Sequence, residues 1–91
     1  MYLEALADLI GEKVDPTDDD HRMLHLLYAY LVRVKGDSLT MSDVHDAWSV
    51  WTILADRDRE FVVPFDQLPT HVQEQDRTFA EALASVARST S

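Results

Sequence analysis

Val44-His45-Asp46-Ala47-Trp48-Ser49-Val50-Trp51 and, further along, Val63-Pro64-Phe65-Asp66-Gln67-Leu68-Pro69 are the two stretches that decide how this chain folds. In the first, Val44, Ala47, Trp48, Trp51, Leu54 and Ala55 recur at intervals of three and four, which places them on one face of a helix. Thr40-Met41-Ser42-Asp43 ahead of it is a start signal, because a hydroxyl there can accept from the orphan amides of the first turn. The helix is expected to end near Asp56. Each of its tryptophans can bury on the order of 200 Å², worth roughly 5 kcal/mol at about 25 cal/mol per Å². The second stretch cannot be helical throughout. Proline drives the residue before it away from the helical region, so Phe61-Val62-Val63 is expected to be extended. Pro64 and Pro69 then bracket a tight segment in which Asp66 is placed to bond backbone amides around a one-turn helix.

The same punctuation divides the rest of the chain. Thr70-x-x-Gln73 is a capping box in competition with Pro69 at the first helical position. Either start gives a last helix with Val72, Phe79, Ala82, Leu83 and Val86 on its buried face and a frayed end from Ala87 onward. At the other end, Leu3, Leu6, Leu9 and Ile10 predict a short amphipathic helix over about 2–12, with Gly11 and Pro16 marking its close. Thr17-Asp18-Asp19-Asp20 then suits the positive end of a helix dipole. That second helix closes at Gly36, with Arg33 and Lys35 in its last turn. Met23, Leu24, Leu27, Tyr28, Leu31 and Val34 form its broad face, and Leu26, Tyr30 and Val32 widen it. A helix apolar on so many sides is either the most buried one or has a partner on its far side. The expected architecture is an all-α, compact four-helix domain with a proline-bracketed loop between the last two helices.

Composition bounds what such a domain can do. The chain has 91 residues, 46% of them apolar, and no cysteine, so one hydrophobic core is the ceiling and neither disulfides nor thiolate metal sites contribute. A single domain, 1–91, is expected, built as an N-terminal helical pair over 1–39 and a helix-loop-helix unit over 40–88. Seventeen acidic residues oppose eight basic ones for a formal charge of −9, which disfavours nucleic acid and anionic lipid as partners. The first ten residues carry Glu4 and Asp8 without a basic region or a long apolar run. They read as neither a secretory signal nor a membrane span, and a cytoplasmic location is expected.

His45-x-x-Trp48, Val63-Pro64-Phe65, Leu68-Pro69 and Asp76-Arg77, in that order and spacing, resemble the ryanodine-receptor-type repeat (RyR domain). The resemblance covers about 40–87. In that family a helix carrying His-x-x-Trp runs into a loop ending Val-Pro-Tyr/Phe-x-x-Leu-Pro, and a second helix follows with an Asp/Asn-Arg pair. The family's Gly-Trp-x-Tyr-Gly and Lys-x-His-Pro have no counterpart in residues 52–62, so no role of those residues carries over. As a whole, the chain looks like small actinobacterial and phage proteins. The resemblance implies a non-catalytic recognition module that senses a nucleotide-like small molecule. Its ligand-binding cleft would lie between His45, Trp48, Phe65 and Arg77, with the indole for stacking and the guanidinium as anion partner.

Each of these residues also has a plain structural role open to it. Trp48, Trp51 and Phe65 sit where a helix or loop folds inward and suit a core. His45 suits a hydrogen bond that steadies the loop, and Asp76 and Arg77 suit a solvated pair or a tie to the loop. Catalytic and metal chemistry lack material. His21 and His25 are four apart but have no glutamate between them in the His-Glu-x-x-His pattern. His45-Asp46 lacks the further histidines and aspartates of a metal phosphohydrolase. No serine sits in a Gly-x-Ser-x-Gly turn, and the two glycines, Gly11 and Gly36, cannot build a phosphate-cradling loop. No enzyme activity, metal or cofactor is expected. The alternative function is an acidic protein-interaction module, phage-encoded in type, that binds a host protein or forms a homodimer through Leu26, Tyr30 and Val32.

Overall fold

The computed structural model describes residues 2–14 and 21–90. The start signal read at Thr17-Asp18-Asp19-Asp20 lies outside the described residues. These described residues form four helices, α1 (Tyr2–Val14), α2 (Arg22–Lys35), α3 (Met41–Leu54) and α4 (Thr70–Thr90), with single 3₁₀ turns at Gly36–Ser38 and Phe65–Gln67. The described residues contain no strand, and the architecture is an all-α four-helix domain. A radius of gyration of 12.5 Å matches the roughly 12 Å of a compact chain of this length.

Local chemistry accounts for most element ends. The Thr40 side chain accepts from the Asp43 amide at 3.1 Å while the Asp43 carboxylate accepts from the Thr40 amide at 2.9 Å, so both members of the capping box are made. Gly36 ends α2 at φ 60°, ψ −142°, a region that side chains rarely tolerate. At the end of α3 the Arg57 amide reaches back to the Thr52 carbonyl and the Asp56 amide to that of Ile53, the paired bonds of a Schellman stop. Asp56 takes the left-handed position of that stop, φ 53°, and so lies outside the helix that the sequence extended to it.

The core lies where all four helices meet. Ile10, Val44, Thr52, Leu83 and Val86 are its largest fully buried side chains, and Leu24, Tyr28, Val32 and Trp51 surround them. Each such aliphatic side chain stabilises the fold by about 1.5–3 kcal/mol relative to exposure. α1 lies along α2, where Arg22 bonds Asp8 and approaches Glu4 to 3.9 Å. α3 packs between α2 and α4, and α4 closes back onto α1. The connector is ordered against this frame: Leu68 is buried, Phe65 is half-buried, and the Gln73 side-chain amide donates to the Phe65 carbonyl at 3.0 Å and the Leu68 carbonyl at 3.2 Å.

Several expectations are corrected. α1 runs through Gly11 to Val14, because the glycine leaves room for a neighbour instead of ending the helix: a Cβ there would stand 3.0 Å from Nδ1 of His25. The buried face of α2 is Leu24, His25, Tyr28, Ala29 and Val32, while Met23 and Val34, read as core, are 48% and 60% exposed. The patch drawn through Leu26, Tyr30 and Val32 is broken up, since Val32 is in the core at 5% exposure and only Tyr30 stands out at 60%. Phe61-Val62-Val63 forms no extended run; the Val62 amide donates to the Arg59 carbonyl and closes a turn. The Phe65–Gln67 turn forms without a side-chain cap, so Asp66 does not play the part assigned to it. Gln73 bonds the connector rather than the start of α4, where the Pro69 carbonyl accepts from the Val72 and Gln73 amides. α4 persists to Thr90 with Ala87 buried, its end held by the Ser89 and Thr90 hydroxyls donating to the Val86 carbonyl.

Candidate functional site

α2, α3, α4 and the start of the connector enclose a cleft of about 520 Å³, inside the range of roughly 300–1,000 Å³ typical of small-molecule sites. Its aromatic walls come from Tyr28 on α2, Trp48 and Trp51 on α3, Phe61 on the connector and Phe79 on α4. Three imidazoles, His21, His25 and His45, share the same space with Arg57, Asp58 and Asp76. Helical repetition explains the grouping: Leu24, His25 and Tyr28 fall on one face of α2, with His21 at its N-cap on the same side, and His45, Trp48, Trp51 and Thr52 fall on one face of α3.

Two aromatic pairs set the shape. His45 stacks on Trp48 with centroids 5.6 Å apart and planes 22° from parallel. Trp51 is clasped differently, with the His21 ring meeting it edge-on at 4.9 Å and the Arg57 guanidinium 5.0 Å from its centroid. A cation over an indole face is attracted by the ring quadrupole, so the first residues after α3 are drawn over the cleft.

His45 is 3% exposed and has work on both sides of its ring. Nε2 lies 2.7 Å from the Val63 carbonyl. A carbonyl only accepts, so Nε2 carries the proton and donates, and the connector is tethered to α3. The Ser49 hydroxyl is at 3.4 Å from the same nitrogen. Nδ1 faces the Asp76 carboxylate at 3.9 Å. Burial pushes the Asp76 carboxyl above its usual range, and the nearby His45 offsets part of that rise.

Of the four residues proposed from sequence, the fold brings His45 and Trp48 into the cleft. Phe65 stands behind them, 6.3 Å from the His45 ring at a 54° tilt, and supports the histidine without lining the cavity. Arg77 is turned away. Its guanidinium forks onto Glu74 at 2.7 and 3.0 Å on the exposed side of α4, and that pairing lowers the Glu74 carboxyl and raises Arg77. The cation at the cleft is Arg57 instead. Neighbours on a helix point about 100° apart, so Asp76 faces inward where Arg77 faces out. Asp76, Trp51, Tyr28 and the α2 histidines were not in the sequence-based set, although the i,i+4 spacing of His21 and His25 was the signal that they share a face. No group of three or more histidine, aspartate or glutamate side chains among the described residues is placed to hold a metal ion, and no described helix is long and apolar enough to cross a membrane.

Residues 1–88 match the family described as Domain of unknown function (DUF7701). No curated protein and no solved structure matches the chain.

Proposed function

The chain belongs to that family, and we propose that it acts as a non-catalytic recognition module whose α2–α3–α4 cleft binds a planar, nucleotide-like small molecule. The observation that carries this reading is the cleft itself: a cavity of about 520 Å³ walled by five aromatic rings with a guanidinium at its edge. Aromatic walls offer stacking surface, and a few placed polar groups fix orientation. Arg57 takes the anion-partner role first given to Arg77, and the RyR-type likeness of residues 40–87 supports the same reading.

The chain carries its own reporter. Its two tryptophans, Trp48 and Trp51, both line the cleft, so an occupant alters their emission directly. Titration with a panel of nucleotides and NAD-derived metabolites should quench or shift that emission and raise the unfolding midpoint. A ligand at 100 times its dissociation constant adds about 2.7 kcal/mol. A panel that changes neither signal removes the reading.

A different observation favours a second reading, an acidic module for a protein partner or a second copy of itself. Val50, Ile53 and Leu54 leave a cluster on the outer end of α3 that is 45%, 44% and 62% exposed. Light scattering with a size that grows with concentration would support it, and an Ile53→Lys protein would then stay monomeric.

A further inference from the structure

Asp76 presents an unusual carboxylate. Its side chain is 16% exposed, and it accepts no hydrogen bond among the described residues, although every fully buried side-chain nitrogen and oxygen among them has a partner. Its oxygens therefore open onto the cleft that it lines. An ionised carboxylate is acceptor-only and is costly to desolvate without donors. Beside it stands a second polar atom. Because Nε2 of His45 donates to Val63, Nδ1 is the nitrogen that faces Oδ2 of Asp76, 3.9 Å away, and in the neutral form of the ring it is an acceptor. That separation is too long for a direct hydrogen bond. With the imidazole in that form two acceptors face one small volume, and Trp48 and Phe79 line the same cleft.

We propose that the cleft selects planar rings that carry adjacent N–H donors on one edge, such as an amino-substituted heterocycle or an amidinium, read jointly by the Asp76 carboxylate and Nδ1 of His45. This rests on the recognition reading above and adds the polarity of the edge that the ligand must present.

The test uses two probes of one shape. 2-Aminobenzimidazole offers an exocyclic amine beside a ring N–H, while 2-methylbenzimidazole replaces the amine by a methyl group. Each is titrated into the intact chain, with tryptophan emission and thermal midpoint as read-outs. The amine should bind about tenfold tighter or more, the value of one charge-assisted hydrogen bond. In a folded Asp76→Asn protein, checked by circular dichroism, that preference should shrink severalfold, because a neutral amide oxygen replaces the charged acceptor, while the methyl compound binds as before. Equal binding of the two probes to the wild-type chain overturns the donor-edge proposal and leaves the recognition reading standing. An undiminished preference in Asp76→Asn also overturns it. Failure of both probes to perturb either signal counts against both. The comparison on the wild-type chain needs no variant, so a misfolded mutant does not protect the idea.

Discussion

Gly11→Ala should destabilise this domain, although the same change in the middle of an ordinary helix stabilises it. Gly11 lies inside α1, and its backbone is not in the left-handed region that glycine alone accepts freely. Conformational preference therefore argues for alanine, by about 1 kcal/mol. The opposing effect is steric. A Cβ at this position would stand 3.0 Å from Nδ1 and 3.2 Å from Cε1 of His25, a ring that is itself 6% exposed and held between α1 and the cleft. Forcing a carbon against a buried neighbour costs about 1–3 kcal/mol. The clash outweighs the propensity, for a net loss of about 1 kcal/mol, or roughly 4–8 °C in midpoint for a domain of this size. In a His25→Ala background the obstruction is gone, and the same substitution should then stabilise by about 1 kcal/mol. The sign reversal corresponds to a coupling of about 2 kcal/mol. Urea unfolding of the four proteins, followed by far-ultraviolet circular dichroism, measures it. If Gly11→Ala stabilises the wild-type chain by the full propensity amount, α1 does not ride against His25 and the reasoning fails.

Three further outcomes are expected. Asp56→Gly should stabilise by about 1 kcal/mol in the same denaturation assay, because Asp56 holds a left-handed φ of 53° at a helix stop where glycine is at ease and also places a negative charge at the negative end of α3. Gln73→Ala should cost about 1–2 kcal/mol by removing two hydrogen bonds to the connector, with hydrogen exchange speeding up first over residues 63–68. Asp76→Asn should raise the midpoint at neutral pH and lose that advantage in acid. The Asp76 carboxyl is raised in the fold by burial, so the native state holds its proton more tightly than the unfolded chain; its favourable contribution is present at low pH and is lost as pH rises from the unfolded value through the raised one. A pH series of midpoints for the two proteins that runs parallel would contradict this.

Helix identity was legible because its signals are local. Thr40 with Asp43, and Gly36 after Lys35, bound their helices by contacts within a few residues, and the spacing of Val44, Trp48 and Trp51 gives the face of α3, although Leu54 and Ala55, expected on the same face, are exposed where the helix runs out past the core. The rotation of α2 was not legible. Counting apolar side chains put Met23 and Val34 inward, whereas the interface is made by Ala29 and His25, a small residue and a polar one whose burial depends on Gly11 of another helix. The site divided along the same line. His45 and Trp48 meet across one helical turn and could be paired on sequence alone, but Arg57, Asp76 and the α2 histidines converge only through the packing of three helices. Asp76-Arg77 looked like one charged pair and is two unrelated groups, since adjacent helical positions diverge by more than a right angle's worth of turn about the axis.

The bond from Nε2 of His45 to the Val63 carbonyl also fixes the orientation of the ring. A half-turn of the imidazole would put carbon where the carbonyl needs a proton, so the edge shown to Asp76 cannot be chosen independently of the anchor on the other edge. One flat, five-membered ring is thus wedged between a hollow and a strap, and neither can be disturbed without the other registering it. No other side chain fills position 45 as well: asparagine or glutamine can imitate one edge, but neither imitates both edges and the stacking face at once.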